Sequence, residues 1–440
     1  MLSRARYFVS GAFRWLAERR WRWAVAGLLA IAGAGAAGYL IATDSDDDST
    51  PAAAPRVLVR DLPGPEAIEQ LSFPAFATAN TTRVAGPDAT TVAAAVALAT
   101  HPSTGGVPGP AAVALVDAAD WRSGIAAASL VAAPIGAPIL VTEGREVPEL
   151  TTSTLDTLAP AGSSETDGRQ AFRIGEAAEP EGLETLEIEG RDPAQLAAEI
   201  EILRARLTGE PQHVVLASSE EPAFAMPAAG WAARSGDPVL FAERDSVPDP
   251  TLEALRRYRD VPVYVLGPES VVSAEAMKAV RKIAPTAVRV AGSDPVSNAI
   301  AFARFADGGF GWNINDPGHG LVLANTDRPL DAAAAAPLSA GGTWGPLLVS
   351  DHPAAISPAL RQYLLDLKPG YEDDPTRAVY NHAWLIGDDS AFSVGFQAQV
   401  DELIELAPIR SGTGAARLGT PPGAARPDGG AGDGGAGGSD

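Results

Sequence analysis

The segments PILVTE (residues 138–143), PVLFAE (238–243) and PLLVSD (346–351) decide how this chain reads. Each opens on proline, runs through three apolar residues, and closes on a small or hydroxylated residue followed by an acid. Their starts lie 100 and 108 residues apart. Proline is tolerated as the first residue of a strand, where its missing N–H costs least. The acid then falls at the strand's carboxyl end, the edge at which open parallel sheets bind ligands.

Three further landmarks recur in step with the first. RVAGPDATTVAAAVAL begins at Arg83, EIEGRDPAQLAAEI at Glu187 and RVAGSDPVSNAIAF at Arg289. In each, a short apolar strand ends at glycine, turns through an aspartate, and enters an alanine-rich helix whose first N–H groups an Asp can cap. FRIGEA (from Phe172), YVLGPESVVS (Tyr264) and WLIGDDSAFS (Trp384) are strands that again end at glycine. AVALV (112–116), HVVLAS (213–218) and GLVLAN (320–325) precede the proline strands. The strands are continuous apolar runs, as expected when helices cover both faces. Alternation with helices predicts an α/β fold of three tandem repeats, each a small parallel sheet flanked by helices.

These residues resemble the cell wall-binding repeat type 2 family over about residues 82–407. The proline strands match its PILL-like signature, and the strand–Gly–Asp–helix segments match a second element. Gly267 with Ser273, and Gly387 with Ser393, match a third, while Asp331 fits a helix start. The arginine that follows the aspartate in the family is absent after Asp88, Asp192 and Asp294. The first repeat keeps Gly175 but lacks the serine. The resemblance implies three α/β repeats packed as a pseudo-trimer that hold a protein non-covalently to the envelope through anionic wall polymers.

Charge and hydropathy set the surroundings. The chain has 440 residues, 33 basic and 55 acidic groups, a net charge of −22 and no cysteine. Six arginines and one acid fall within residues 1–22, leaving 27 basic and 54 acidic groups for the remainder. That balance argues against nucleic acid, which needs clustered Lys or Arg. Residues 23–42 carry no charge and are long enough to span a bilayer as a helix of about 30 Å. The arginines before them and the acids 44–48 after them predict a cytoplasmic N-terminus and an extracytoplasmic body. A cleavable signal peptide followed by secretion is the competing reading. Division by composition gives a basic segment (1–22), the span (23–42), a linker (43–55), a lead-in (56–82), repeats at 83–186, 187–288 and 289–409, and a Gly/Pro-rich tail (410–440) read as disordered.

The function expected is non-covalent binding of an anionic or neutral cell-wall polysaccharide or peptidoglycan-associated polymer, without catalysis and without cofactor or metal. The candidate contacts are Thr142, Glu143, Glu243, Ser350 and Asp351 at the carboxyl edges, with Asp331, Arg83 and Arg289. The five histidines show no metal-ligand spacing, and GAGAAG (33–38) follows no strand, so its G-x-G-x-x-G match carries no nucleotide site. Two alternatives stand beside this reading. One is an envelope hydrolase using Ser350, Asp351, His352 and Asp331 of the third repeat. The other is a scaffold for membrane proteins.

Overall fold

A computed structural model of the protein describes residues 75–102 and 109–409. The predicted span, linker and tail lie outside them. Among the described residues no helix is long and apolar enough to cross a membrane.

Three four-stranded parallel sheets share one strand order. The first holds β3 (Val113–Asp117), β4 (Ile139–Thr142), β5 (Ala171–Ile174) and β6 (Thr185–Ile188), ordered β4-β3-β5-β6. The second repeats it with β7 (Val214–Ser218), β8 (Val239–Ala242), β9 (Val263–Leu266) and β10 (Val288–Val290), ordered β8-β7-β9-β10. The third uses β11 (Gly320–Asn325), β12 (Leu347–Ser350) and β14 (His382–Ile386), but its fourth strand is β2 (Thr81–Val84), from the other end of the chain. A short strand β1 (Ala75–Ala77) pairs antiparallel with β2 and covers that edge. Two-residue strands β13 (Gly370–Tyr371) and β15 (Ala407–Pro408) pair separately.

The sequence repeat and the sheet are therefore offset. The strand that opens each repeat closes the preceding sheet, and the helix after it lies on the next one. Helix α1 (Ala89–Thr100), which follows β2, packs on β4 of the first sheet. Helix α4 (Pro193–Thr208), after β6, packs on β8, and α8 (Pro295–Arg304), after β10, packs on β12. The lead-in supplies β1 and the start of β2. These three helices start alike: Asp88, Asp192 and Asp294 cap them by accepting from the backbone N–H of Thr91, Gln195 and Ser297, each at 2.8 Å. The glycine before each cap lets the strand end press on the helix. A Cβ at Gly190 or Gly292 would stand 2.6 or 2.3 Å from the backbone nitrogen of Leu196 or Asn298.

Helices α2 (Trp121–Ala127, continued by a 3-10 turn to Val131), α5 (Pro222–Ser235) and α9 (Pro329–Ala340) join the first and second strands of their sheets and pack on one another at the centre. Small side chains permit that approach: Ala332 to Ala336 have no exposed surface, and a Cβ at Gly124 would stand 2.5 Å from Leu330. The remaining helices, α3 (Glu149–Leu158), α6 (Asp249–Arg257), α7 (Ala274–Arg281), α10 (Pro358–Asp366) and α11 (Val394–Ile404), cover the outer faces. Ser273 and Ser393 cap α7 and α11. The first sheet has no such serine, and residues 175–184 pass from β5 to β6 without a helix.

Candidate functional site

The carboxyl edges hold the candidate residues in two unlike settings. Thr142 is fully buried; its hydroxyl accepts from the Ala178 N–H at 3.0 Å. Ser350 is buried too, and its hydroxyl donates to the His352 carbonyl at 3.2 Å. The next residues, Glu143, Glu243 and Asp351, are exposed, and Glu243 accepts from the Ser246 hydroxyl at 2.6 Å. The split marks the end of the strand, whose residues are all buried because helices cover both faces of the sheet. The acid is the first residue beyond it and the first solvated one.

Arg83 and Arg289 are joints of the fold. The Arg83 guanidinium, 1% exposed, donates to the Gln397 amide oxygen at 3.0 Å and to the carbonyls of Phe392 and Ser393 at 2.5 and 3.3 Å, with Asp389 at 3.3 Å. Arg289 donates to the carbonyls of Gly267 and Val272 at 2.6 and 2.7 Å. Both reach from a fourth strand to the turn leaving the third.

Asp331 is 1% exposed and faces Arg328 Nε at 2.7 Å. Burial pushes its pKa up to about 6 despite the arginine. The His352 ring accepts from the N–H groups of Ala354 and Ala355 at 3.0 Å, within its own turn. Asp331 thus pairs with Arg328 and the Ser350 hydroxyl with a carbonyl, so neither engages the His352 ring.

A cleft of about 540 Å³ opens at the opposite, amino-terminal edge of the second sheet. It lies where the carboxyl ends of the central helices meet. Trp231 and Arg234 come from the last turn of α5, Trp344 follows α9, and Ala133 and Pro134 follow the turn that continues α2. Glu201 and Arg204 of α4 and the loop around Trp312 complete the wall. Asp237, 3% exposed, organises the floor. It accepts from Trp231 Nε1 at 2.8 Å and the His213 N–H at 3.1 Å, and lies 3.2 Å from His213 Nδ1.

The tryptophans form a connected set. The Trp231 and Trp312 rings meet edge to face at 5.4 Å, and Trp312 and Trp344 are stacked at 6.3 Å. The Arg234 guanidinium lies 4.4 Å from the Trp344 ring centre and donates to the Ala340 carbonyl at 3.1 Å. Arg204 donates through Nε to the Gly236 carbonyl at 2.5 Å, and Glu201 pairs with Arg257 at 2.7 Å. Gly236 is left-handed with φ +80°, and a Cβ there would collide with the Arg204 guanidinium. Burial raises the Glu201 pKa and lowers that of Arg204. Arg204 Nη1 and Trp312 Nε1 are enclosed without a hydrogen-bond partner, while the Glu201 carboxyl also meets the Tyr258 hydroxyl. Such orphans are costly when buried.

This cleft lies at the edge opposite the one that sequence reasoning favoured. Its signal in the sequence is asymmetry. Aligned by strand register, His213 takes the position of Ala112 and Gly320, and Asp237 that of Ala137 and Gly345, so the pair occurs in one repeat alone. Among the described residues no group of three or more His, Asp or Glu could hold a metal ion.

No family model and no curated protein sequence matches the chain. Solved structures do resemble it. Cwp6 from Clostridium difficile shares 19% identity at a TM-score of 0.56, over 73% of this chain and 48% of that one. Cwp8 from Clostridium difficile shares 17% identity at a TM-score of 0.58, over 74% of this chain and 52% of that one. At these identities the likeness establishes a shared fold. The chain spans about half the length of either structure.

Proposed function

We propose that the protein is an envelope-associated binding protein that holds a cell-wall glycopolymer non-covalently, and that the cleft at the amino edge of the second sheet is where the polymer is gripped. One observation carries the reading: three tryptophans and a set of buried polar groups, two atoms of them unpartnered, line a single cleft between the repeats. Aromatic faces cover the apolar side of a ring, while fixed donors and acceptors orient its polar substituents. The repeat motifs and the fold shared with the cell wall proteins Cwp6 and Cwp8 support an envelope setting. The span read at residues 23–42 would tether the body to the membrane.

Purified walls, before and after acid stripping of their polymers, provide the test. The full chain should be retained on intact walls and lost from stripped ones. Failure to bind either preparation removes the proposal. We read the protein as a binder rather than an enzyme because the serine, histidine and acid of the third repeat do not converge on one another. The second module offers His213 and Asp237, and among the described residues no serine or threonine hydroxyl is hydrogen-bonded to that histidine ring. Release of reducing sugar from intact walls by the full chain would reverse that choice.

A further inference from the structure

We infer that residues 56–60, RVLVR, add a strand to the free outer edge of β6, antiparallel to it and within the same chain. The segment opens the lead-in, and the pairing is independent of what the cleft holds.

The third sheet supplies the pattern. Its fourth strand, β2, carries β1 on its outer side, with Ala75, Phe76 and Ala77 opposite Val84, Arg83 and Thr82. The matching strands of the other sheets, β6 and β10, are terminal, and among the described residues no strand pairs with their outer sides. On β6 the carbonyls of Glu184 and Ile188 face β5, accepting from the N–H groups of Gln170 and Gly175. The N–H and C=O of Glu187 therefore point away from β5, as those of alternate residues do. An open row of such groups is a template for a further strand.

Charge and pleat choose between the two edges. Glu184, Glu187 and Glu189 are exposed along β6; Glu187 pairs inward with Arg173, and Glu189 makes no ion pair among the described residues. At the place of Glu187, β10 has Arg289, and Arg281 donates to the Ala287 carbonyl just before it. A strand flanked by arginines is drawn to the first edge and repelled by the second. Transferring the register of β1 to β6 sets Val57, Leu58 and Val59 opposite Ile188, Glu187 and Leu186. The two valines then share a face with Ile188 and the half-buried Leu186. Arg56 falls opposite Glu189, and Arg60 lies diagonal to Glu187.

Reach permits the pairing in one chain. Residues 61–74 join the segment to β1 and extend to about 46–50 Å, against a radius of gyration of about 20 Å for a body of this length. Such a tether presents the segment at a concentration on the order of millimolar. Running antiparallel to β6, the segment comes in at the carboxyl edge. A membrane tether at residues 23–42 then draws that edge inward and leaves the cleft facing away.

The chain has no cysteine, so introduced pairs report the register directly. Val59→Cys with Leu186→Cys occupies a non-hydrogen-bonded antiparallel pair, about 4.5 Å between Cα atoms, which a disulfide spans. Mild oxidation of the dilute full chain should close this disulfide within one chain, as read by peptide mass mapping. Closure should be about tenfold faster than for Val59→Cys with Val288→Cys, the matching place on β10. Arg56→Glu should slow it about threefold, and adding Glu189→Arg should restore it. Leu58→Pro removes the N–H that faces the Glu187 carbonyl and should speed hydrogen exchange of the Glu187 amide about tenfold. Equal closure on the two edges, a disulfide linking two chains, a charge exchange without rescue, or Glu187 exchange unchanged by Leu58→Pro would each overturn the inference. A chain that closes the disulfide yet is not retained on walls loses the glycopolymer reading and keeps this one; the reverse result does the opposite.

Discussion

The first and second modules build the same joint with opposite charges. In the second, Arg289 stands on the outer strand β10 and grips the turn after β9. In the first, that outer position is Glu187, and the arginine has moved one strand inward to Arg173. Arg173 pairs with Glu187 at 2.8 Å and donates to the Ala177 carbonyl at 3.0 Å, so it still serves the turn. The third module follows the second, with Arg83 more deeply enclosed. What persists across the repeats is a guanidinium tying the last two strands to the turn, rather than a residue at a fixed position. Where the turn opens into a serine-capped helix, the arginine comes from the outer strand. Where it does not, an ion pair replaces it.

The largest effect should come from the most enclosed joint. Arg83→Ala leaves two buried carbonyls and a glutamine amide oxygen without that donor, and should cost about 3 kcal/mol in denaturant unfolding. Glu187→Ala removes half of a largely exposed pair and should cost under about 1 kcal/mol. Equal losses would break the comparison.

Next comes pH, read through two buried groups of the third module. Burial lowers the His382 pKa to about 4, and the ring meets Thr82 of the closing strand at 3.0 Å. The unfolded chain takes up this proton near pH 6.5 and the folded one does not, so stability falls as pH drops from 6.5 toward 4. The loss should reach about 2 kcal/mol. Asp331, raised to about 6, acts in the opposite sense. The folded state holds its proton where the unfolded state has lost it, so stability falls as pH rises from 4 to 6. His382→Gln and Asp331→Asn should therefore tilt the stability curve between pH 4 and 6.5 in opposite directions. Parallel curves would refute both assignments.

Smaller still are the caps. Asp88→Ala, Asp192→Ala and Asp294→Ala should each cost about 1 kcal/mol, alike in the three modules. The smallest change sharpens the opening comparison most. Converting the first module to the arrangement of the second, with Arg173→Val and Glu187→Arg together, should leave the melting temperature within about 3 °C of wild type, while Arg173→Val alone lowers it further.

The strands and helices could be read in advance because their signals are local. An apolar run ending at glycine, with an aspartate three residues before a backbone N–H that it caps, specifies its own turn. Sheet membership is not local: a run such as TTRV can pair with any parallel edge, and contacts distant in sequence, of Arg83 and Thr81 with Gln397 and of Asn80 with Asp401, assign it to the third sheet. The candidate residues at the carboxyl edge were drawn from the same local pattern. Thr142 and Ser350 look like binding residues in a one-dimensional pattern, yet both end strands that are buried on both faces. The cleft draws Glu201, Trp231, Trp312 and Trp344 from positions spread over more than a hundred residues, which share no spacing to read. His213 and Asp237 were visible only as breaks in the repeat.

The borrowed strand of the third sheet has a consequence for the order of events during synthesis. Residues 81–84 leave the ribosome about three hundred residues before their partner strand at 382–386 exists. Until then β2 has only its neighbour β1 to pair with, while the first two sheets already have all their strands. The nascent chain thus holds β2 in reserve, and the third sheet is completed only when β14 arrives to meet it.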